Sequence, residues 1–280
     1  AMLNQTLEKW EIVYGNEKKD RSPEERFAYV IERAYEQAGC GVVVLVDEYD
    51  KPLLQALDND ALLEDYRKTL KAFYGVLKSA DRYLRFAFLT GVTKFSQVSV
   101  FSDLNQLNDI SLDYSYATVC GITRTELVET FTPEIEEFGR VNKLSAEETV
   151  DKMARQYDGY HFHPKGDGVF NPFSVLNAFS KRELGDYWFQ TGTPTFLVEM
   201  LRKSDLRILL DGIEAPASMF SEYRVEANNP IPLIYQSGYL TIKDYDKEFG
   251  NYLLLFPNDE VRYGFINFLV PFYTSMTNSD

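Results

Sequence analysis

Hydrophobic positions near the start of the chain predict helices and strands in alternation. In residues 22–38 the apolar side chains recur at the spacing of one helix face, and Ser22-Pro23 is a favourable helix start. Residues 42–46, Val-Val-Val-Leu-Val, form an uninterrupted run typical of a parallel strand buried on both faces. This part of the chain predicts helices over 4–14, 22–38 and about 60–80, and strands over 42–46 and 83–89. The alternation predicts an α/β layer fold.

From about residue 124 the pattern becomes mainly helical. It predicts helices over 124–137, 145–155, 172–181, 194–204 and 228–237, then strands over 239–242 and 251–256 with a turn at 244–250. The sequence Thr123-Arg124-Thr125-Glu126 is the start signal of the first of these helices. Helices followed by such a strand pair predict a winged-helix-like unit.

The composition is that of an ordinary globular protein, with 45% hydrophobic and 26% charged residues among 280. The formal net charge is −14, which disfavours non-specific binding to nucleic-acid phosphates. A local basic face stays open at Arg82 with Arg85 or at Lys143 with Lys152, although an ordinary solvated surface explains the same residues. Composition alone therefore indicates no nucleic-acid function.

The two cysteines and the lack of long apolar runs indicate the cellular compartment of the protein. Cys40 and Cys120 lie beside glycines in apolar surroundings, which predicts buried free thiols in a reducing compartment. No apolar run approaches the roughly 18–20 residues of a membrane span. The first residues lack the basic and apolar stretches of a signal peptide. These features predict a cytoplasmic protein with no membrane partner.

Two adjacent carboxylates, Asp47 and Glu48, follow directly on the apolar run 42–46. This is the Walker B pattern of P-loop ATPases, in which a buried strand delivers an Asp toward Mg²⁺ and a Glu toward the attacking water. Open α/β sheets bind ligands at the carboxyl ends of their strands, where both residues are expected. An acidic turn after a buried strand gives the same pattern, so both interpretations stay open.

The phosphate-binding loop that normally accompanies this pattern, G-x-x-x-x-G-K-[ST], is absent from these 280 residues. The next predicted strand ends in Thr90-Gly91-Val92-Thr93-Lys94. A threonine there is placed to contact the γ-phosphate of a nucleotide, and Lys94 would add positive charge. An ordinary strand-to-loop turn is the alternative.

Other chemistry has less support in the sequence. His161 and His163 are the two histidines, and a zinc site would need further ligands near them. A nuclease of the P-D…(D/E)-x-K type needs an acidic residue two positions before a lysine. Among all the lysines that spacing occurs only at Lys19, in a charged run before a helix. Nuclease chemistry is therefore not expected within these residues.

Eight short motifs, in consistent order along nearly the whole chain, carry a family resemblance. They are Val-Asp-Glu-Tyr-Asp-Lys-Pro (46–52), Leu-Thr-Gly-Val-Thr-Lys-Phe-Ser (89–96), Leu-Asn-Asp-Ile-Ser-Leu-Asp (107–113), Tyr-Asp-Gly-Tyr-His-Phe (157–162), Asn-Pro-Phe-Ser (171–174), Thr-Gly-Thr-Pro-Thr-Phe-Leu (191–197), Tyr-Gln-Ser-Gly-Tyr-Leu-Thr-Ile (235–242) and Phe-Pro-Asn-Asp-Glu-Val-Arg (256–262). Together they resemble the predicted AAA-ATPase-like family of bacterial proteins.

The resemblance implies a fold and a division into domains. Residues 1–123 would form a partial P-loop NTPase core, with a parallel sheet in a three-layer arrangement, and residues 124–280 a mainly helical, winged-helix-like domain. Similar proteins usually carry a Walker A segment upstream and a P-D-(D/E)-x-K nuclease-like domain downstream. The chain is therefore expected to be a middle piece of such a protein.

The resemblance also implies a site. It places Mg²⁺ coordination at Asp47 and the catalytic carboxylate at Glu48, with nucleotide contacts at Asp47, Thr90, Thr93 and Lys94. Mg²⁺ and ATP are the ligands expected for the complete protein. Without the backbone N–H groups and lysine of a Walker A loop, this chain alone is expected to bind ATP weakly or not at all. Strand edges or apolar surface left bare would favour self-association.

Two other functions stay open. In the first, the C-terminal half binds nucleic acid or a partner protein, and the Asp47-Glu48 pair is structural. Residues 228–237 contain no Lys or Arg, so they offer no basic recognition helix for nucleic acid. In the second, the chain is a degenerate scaffold that keeps the ATPase fold without its chemistry.

Overall fold

The computed structural model of the protein describes residues 2–56, 59–92, 100–101, 104, 107–190, 212–221 and 231–276. The described residues up to Asn108 form one compact unit, and those from Asp109 onward form a second. The helix predicted at 194–204 lies outside the described residues. None of the described helices is long and apolar enough to span a lipid bilayer.

The first unit alternates helices and strands as the sequence predicts. Its elements are α1 (Met2–Tyr14), α2 (Pro23–Ala38), β1 (Val42–Val46), α3 (Lys51–Leu54), α4 (Asp60–Ser79) and β2 (Leu84–Leu89). The two strands pair in parallel, with Val46 opposite Leu89 at their carboxyl ends. The mixed α/β class and the parallel pairing are therefore confirmed.

Helix α2 shows how local sequence sets the entry into β1. The Ser22 hydroxyl accepts a hydrogen bond from the Glu25 N–H, and the Glu25 carboxylate accepts one from the Ser22 N–H. This capping box satisfies two helix-end donors, and Pro23 is already shaped for the first turn. The helix ends at Gly39, which adopts the left-handed conformation at φ 64°. The chain therefore turns sharply, and β1 begins three residues later.

The helices of this unit are joined by both polar and aromatic contacts. The Arg26 guanidinium of α2 donates two hydrogen bonds to the Glu11 carboxylate of α1, each 2.7 Å long, and both side chains are almost completely buried. Phe27 of α2 stacks on Phe73 of α4 with 4.5 Å between ring centroids. These contacts pack α2 between α1 and α4.

The strand β1 is covered on one face and exposed on the other. Val44 is buried, whereas Val43 is 52% exposed and Leu45 is 70% exposed. On β2, Phe86 is 53% exposed beside them. The prediction that β1 is buried on both faces is therefore wrong for this structure, and the three-layer arrangement is not confirmed. An uninterrupted β-branched run shows that both faces are apolar, but not that both are covered.

The second unit is mainly helical and carries a small antiparallel sheet. Its elements are α5 (Arg124–Thr130), α6 (Thr132–Asn142), α7 (Ala146–Tyr157), α8 (Pro172–Lys181), α9 (Tyr187–Gln190), β3 (Ile213–Pro216), α10 (Ser218–Ser221), α11 (Ile231–Gln236), β4 (Thr241–Asp246), β5 (Asn251–Leu255) and α12 (Asp259–Met276). The helix predicted over 124–137 is two helices, because Pro133 starts a new helix immediately after the first ends. The other predicted helix positions among the described residues hold to within a few residues.

The sheet of the second unit has the order β3-β5-β4, with both pairings antiparallel. The predicted strand pair is present, although β4 runs on to Asp246 and shortens the predicted turn. The strand β3 was not predicted, since it is only four residues long and ends in Pro216. This sheet alone does not establish a winged-helix fold, so the winged-helix prediction is not confirmed.

A buried carboxylate fastens α12 to two other helices. Glu260, which is 0% exposed, accepts hydrogen bonds from the Ser174 hydroxyl of α8 and from the Trp188 N–H of α9, each 2.7 Å long. Burial raises the pKa of Glu260 to about 6, and these hydrogen bonds oppose that rise. The motif Phe-Pro-Asn-Asp-Glu-Val-Arg therefore has a structural role in this unit.

Both cysteines differ from expectation in one respect. Cys40 and Cys120 are free thiols as predicted, but both are exposed, so the predicted burial is wrong. Each lies in a turn rather than inside a helix or strand. Turn residues face solvent even when apolar residues surround them in sequence.

Candidate functional site

The candidate site lies at the carboxyl ends of β1 and β2. Because the strands are parallel, Asp47 and Thr90 leave the sheet at the same edge. The ladder continues past both strands, since the Thr90 N–H donates to Val46 O at 2.8 Å and the Tyr49 N–H donates to Thr90 O at 2.9 Å. The segments that follow the two strands are therefore held side by side.

Two of the predicted site residues touch. The Thr90 hydroxyl donates a hydrogen bond to Asp47 Oδ1 at 2.6 Å, across 43 positions of sequence. Asp47 is exposed to solvent at this edge of the sheet. The structure thus brings together a carboxylate and a hydroxyl that the sequence assigned to the same site.

Glu48 has an unusual backbone conformation. Its φ is 53°, in the left-handed region that residues other than glycine rarely occupy. Residues held in such conformations cost on the order of 1–3 kcal/mol each and cluster at functional sites. The Glu48 carboxylate accepts a hydrogen bond from Lys51 Nζ at 2.6 Å, and this bond raises the pKa of Lys51. Both side chains are about half exposed.

Thr93 and Lys94, the other predicted nucleotide contacts, lie outside the described residues. Described residues at this edge end at Val92, directly before them in sequence. Their assignment stays a prediction.

The sequence did not assign a role to Asp50 or Lys51, which are both at the site. Asp50 is 0% exposed, and its Oδ1 accepts a hydrogen bond from the Val92 N–H at 3.1 Å. The spacing of Lys51 three residues after Glu48 was a usable signal for their contact. No comparable signal marks Asp50, because acidic residues after a strand are normally exposed.

The donors present fit a magnesium ion held together with phosphate. Mg²⁺ prefers oxygen ligands and is usually bound through one or two carboxylates, several waters and substrate phosphates. Asp47 supplies one solvent-facing carboxylate. Among the described residues, no group of three His, Cys, Asp or Glu side chains could hold a metal. The described donors at this site therefore suit Mg²⁺ held together with a phosphate ligand.

The histidines of the second unit have local contacts. His161 Nδ1 lies 3.0 Å from Gly166 O, and His163 Nδ1 accepts a hydrogen bond from the Lys165 N–H at 3.1 Å. Both contacts close turns of the segment between α7 and α8. Both histidines therefore take part in the local structure of this segment.

A groove of about 570 Å³ runs beside the β4–β5 hairpin. Its acidic lining residues are Glu214, Asp244, Asp246 and Glu248, and Lys247 is the basic residue among them. This charge would repel nucleic-acid phosphates. The hairpin therefore gives no support to nucleic-acid binding.

Comparison with known proteins bears on the family resemblance. Residues 1–101 match the model of the family described as Predicted AAA-ATPase. The family resemblance is therefore confirmed over residues 1–101, which are similar to this predicted AAA-ATPase family.

The chain is also similar to an uncharacterized protein in the vnfD 5′ region of Azotobacter chroococcum mcd 1. The two are 40% identical over 240 residues, which is 85% of this chain and 44% of the relative. The chain thus spans less than half of that relative's length. No solved structure matches the chain significantly.

Proposed function

We propose that this chain supplies the Mg²⁺-binding and catalytic carboxylates of an ATP-hydrolysing site in the whole protein. The observation that carries the proposal is the contact between Asp47 and Thr90 at the carboxyl edge of two parallel strands. Ligands of open α/β sheets bind at this edge. The family match over residues 1–101 supports the same function.

Each residue has a distinct role in this proposal. Asp47 holds Mg²⁺, directly or through water, and the Thr90 hydroxyl fixes the rotamer of Asp47. Glu48 orients the attacking water and accepts its proton. Thr93 and Lys94 contact the phosphates. The ion, when bound, neutralises negative charge on the phosphate oxygens, which is the main requirement of phosphoryl transfer.

The phosphates need a second set of partners. A phosphate-binding loop supplies a cradle of backbone N–H groups and a lysine, and no such motif occurs in these 280 residues. We therefore expect ATP to bind the whole protein when it carries such a loop, and to bind this chain weakly or not at all. The nuclease-like companion domain implied by the family also remains a prediction.

The test is a calorimetric titration with Mg²⁺–ATP, combined with an assay of phosphate release. We expect the full-length protein to bind and hydrolyse ATP and the 280-residue chain to do neither. In the full-length protein, Asp47→Ala should lower turnover on the order of a hundredfold or more. Glu48→Gln should keep binding but lower turnover by about 10²–10⁴-fold. Asp65→Asn, which changes an exposed residue of α4, is the matched control.

The results separate the competing functions. If the full-length protein neither binds nor hydrolyses ATP, the proposed activity is wrong. Micromolar binding by the 280-residue chain would show that no further phosphate cradle is needed. If Asp47→Ala lowers the melting temperature and leaves turnover per folded molecule unchanged, the carboxylates belong to a scaffold.

The second half of the chain supports a different candidate, a protein-binding module. The acidic groove beside β4 and β5 suits a basic protein surface better than nucleic acid. A winged-helix fold would be compatible with the β3-β5-β4 sheet. A titration of the chain with duplex DNA at low salt discriminates between a protein partner and a nucleic-acid partner. We expect no binding, and tight binding to DNA would reject the preference for a protein partner.

A further inference from the structure

Asp50 is a buried carboxylate directly beside the candidate site. Asp50 is 0% exposed, although Asp47 and Glu48 of the same loop face solvent. Burying a carboxylate is costly unless hydrogen bonds replace its water. One such bond comes from the Val92 N–H at 3.1 Å. The carboxylate therefore ties the loop after β1 to the segment after β2.

This tie extends a series of contacts between the two segments. Asp47 accepts from the Thr90 hydroxyl, the Tyr49 N–H donates to Thr90 O, and Asp50 accepts from the Val92 N–H. The first two contacts end at Thr90. Among the described contacts, the hydrogen bond from the Val92 N–H to Asp50 is the one that joins the two segments two residues beyond Thr90.

Gly91 shows how closely the two segments approach. A Cβ atom added at Gly91 would lie 2.6 Å from Tyr49 Cε1 and 2.7 Å from Asp50 Oδ1. Real Cβ atoms do not tolerate such distances, so this close fit requires glycine. Asp50 and Tyr49 therefore shape the backbone that leads to Val92.

The strained residue Glu48 lies between these anchors. A non-glycine residue keeps a left-handed conformation only where its surroundings over-determine it. Asp47 is fixed on one side of Glu48, and Tyr49 and Asp50 are fixed on the other. The anchors therefore set the direction in which the Glu48 side chain leaves the loop.

We propose that Asp50 is a positioning residue, which fixes the segment after β2 against the loop that carries Asp47 and Glu48. It acts through the hydrogen bond to the Val92 N–H and does not touch the reacting groups. This inference rests on the proposed ATPase function. A small displacement of a catalytic group can cost about a hundredfold in rate, so the loss of this anchor should be visible in turnover.

The test compares Asp50→Ala and Asp50→Asn in the full-length protein. Asn keeps an oxygen that can accept the Val92 N–H, whereas Ala removes the acceptor. We expect Asp50→Ala to lower kcat about tenfold to a hundredfold, with KM for ATP changed by less than about threefold. Asp50→Asn should stay within about threefold of the parent kcat. Asp65→Ala on the exposed face of α4 is the control and should match the parent.

The outcomes distinguish this inference from the proposed function. An inactive parent that does not bind ATP rejects the proposed function and, with it, a positioning role. An active parent with a folded, fully active Asp50→Ala variant rejects the positioning role alone, as does an Asn variant as impaired as the Ala variant. If Asp50→Ala does not fold, Val92→Pro removes the donor instead; an unchanged kcat in that variant overturns the inference.

Discussion

At the residue scale, the contact between Glu48 and Lys51 restrains the proposed catalytic carboxylate. The Lys51 ammonium lies 2.6 Å from Glu48 Oε2, in an ion pair within one short loop. While this pair is formed, the Glu48 oxygen is occupied and less available to a water molecule. Exposed pairs of this kind are weak, so the restraint is readily broken.

Replacing Lys51 by Met should therefore raise ATP turnover by the full-length protein. We expect an increase in kcat of about two- to fivefold, because only a weak exposed ion pair is removed. Steady-state phosphate release measures the change, and a thermal melt checks that stability is unaltered. Lys68→Met, which removes a lysine paired with Glu64 on the surface of α4, should leave kcat unchanged. A decrease in kcat would instead show that Lys51 assists the reaction.

The sequence predicted part of this site and missed part of it, for physical reasons. Asp47 and Thr90 were predictable because each follows an apolar run, and parallel strands bring such positions to one edge. The role of Asp50 was not predictable, because the burial of a carboxylate depends on which residues pack over it. The left-handed conformation of Glu48 was also hidden, since glutamate has no preference for that region.

At the scale of elements, predictions succeeded where local signals mark the start of a helix. Ser22 and Thr123 cap their helices as the sequence indicates. The exposed face of β1 could not be predicted, because a strand's composition does not reveal how many layers cover it. The contact made by Glu260 is likewise a tertiary feature, joining α12 to residues 86 and 72 positions earlier.

Glu260 gives the second unit a dependence on pH. Burial raises the folded-state pKa of Glu260 to about 6, from an ordinary glutamate value of 4.5. The folded state therefore holds this proton more tightly, so the contribution of Glu260 to stability is greatest below about pH 4.5 and falls as the pH rises through 6. Glu260→Gln has no titrating carboxyl at this position. Its free energy of unfolding should therefore lack the decrease, on the order of 1–2 kcal/mol, that the parent shows between about pH 4.5 and 6. Melting temperatures of the parent and variant across pH 4–8 measure it.

The control for this prediction is Glu183→Gln. Glu183 is exposed, so its replacement changes the same charge without changing a buried carboxylate. Its melting curve should follow the parent's pH dependence. Parallel profiles for the parent and Glu260→Gln between pH 4.5 and 6 would contradict the assignment of a raised pKa to Glu260.

At the scale of the whole molecule, the two strands of the parallel sheet present an apolar surface to solvent. Val43 and Leu45 on β1 and Phe86 on β2 are each more than half exposed, and Phe86 stacks on Phe88 with 6.1 Å between ring centroids. Adjacent strands thus present an apolar sheet face to solvent. Contiguous apolar surface of this kind marks an interaction site or a tendency to associate.

We therefore predict that the 280-residue chain self-associates through this sheet face. Its average mass in sedimentation velocity should rise with concentration, because burying Leu45 and Phe86 removes apolar area from water. The double variant Leu45→Thr/Phe86→Thr should sediment as a monomer, since threonine keeps the preference for strand but lowers the apolar area. Phe249→Thr, at an exposed residue of the second unit, should associate like the parent. A parent that stays monomeric at every concentration, or a double variant that still associates, would exclude this face as the cause.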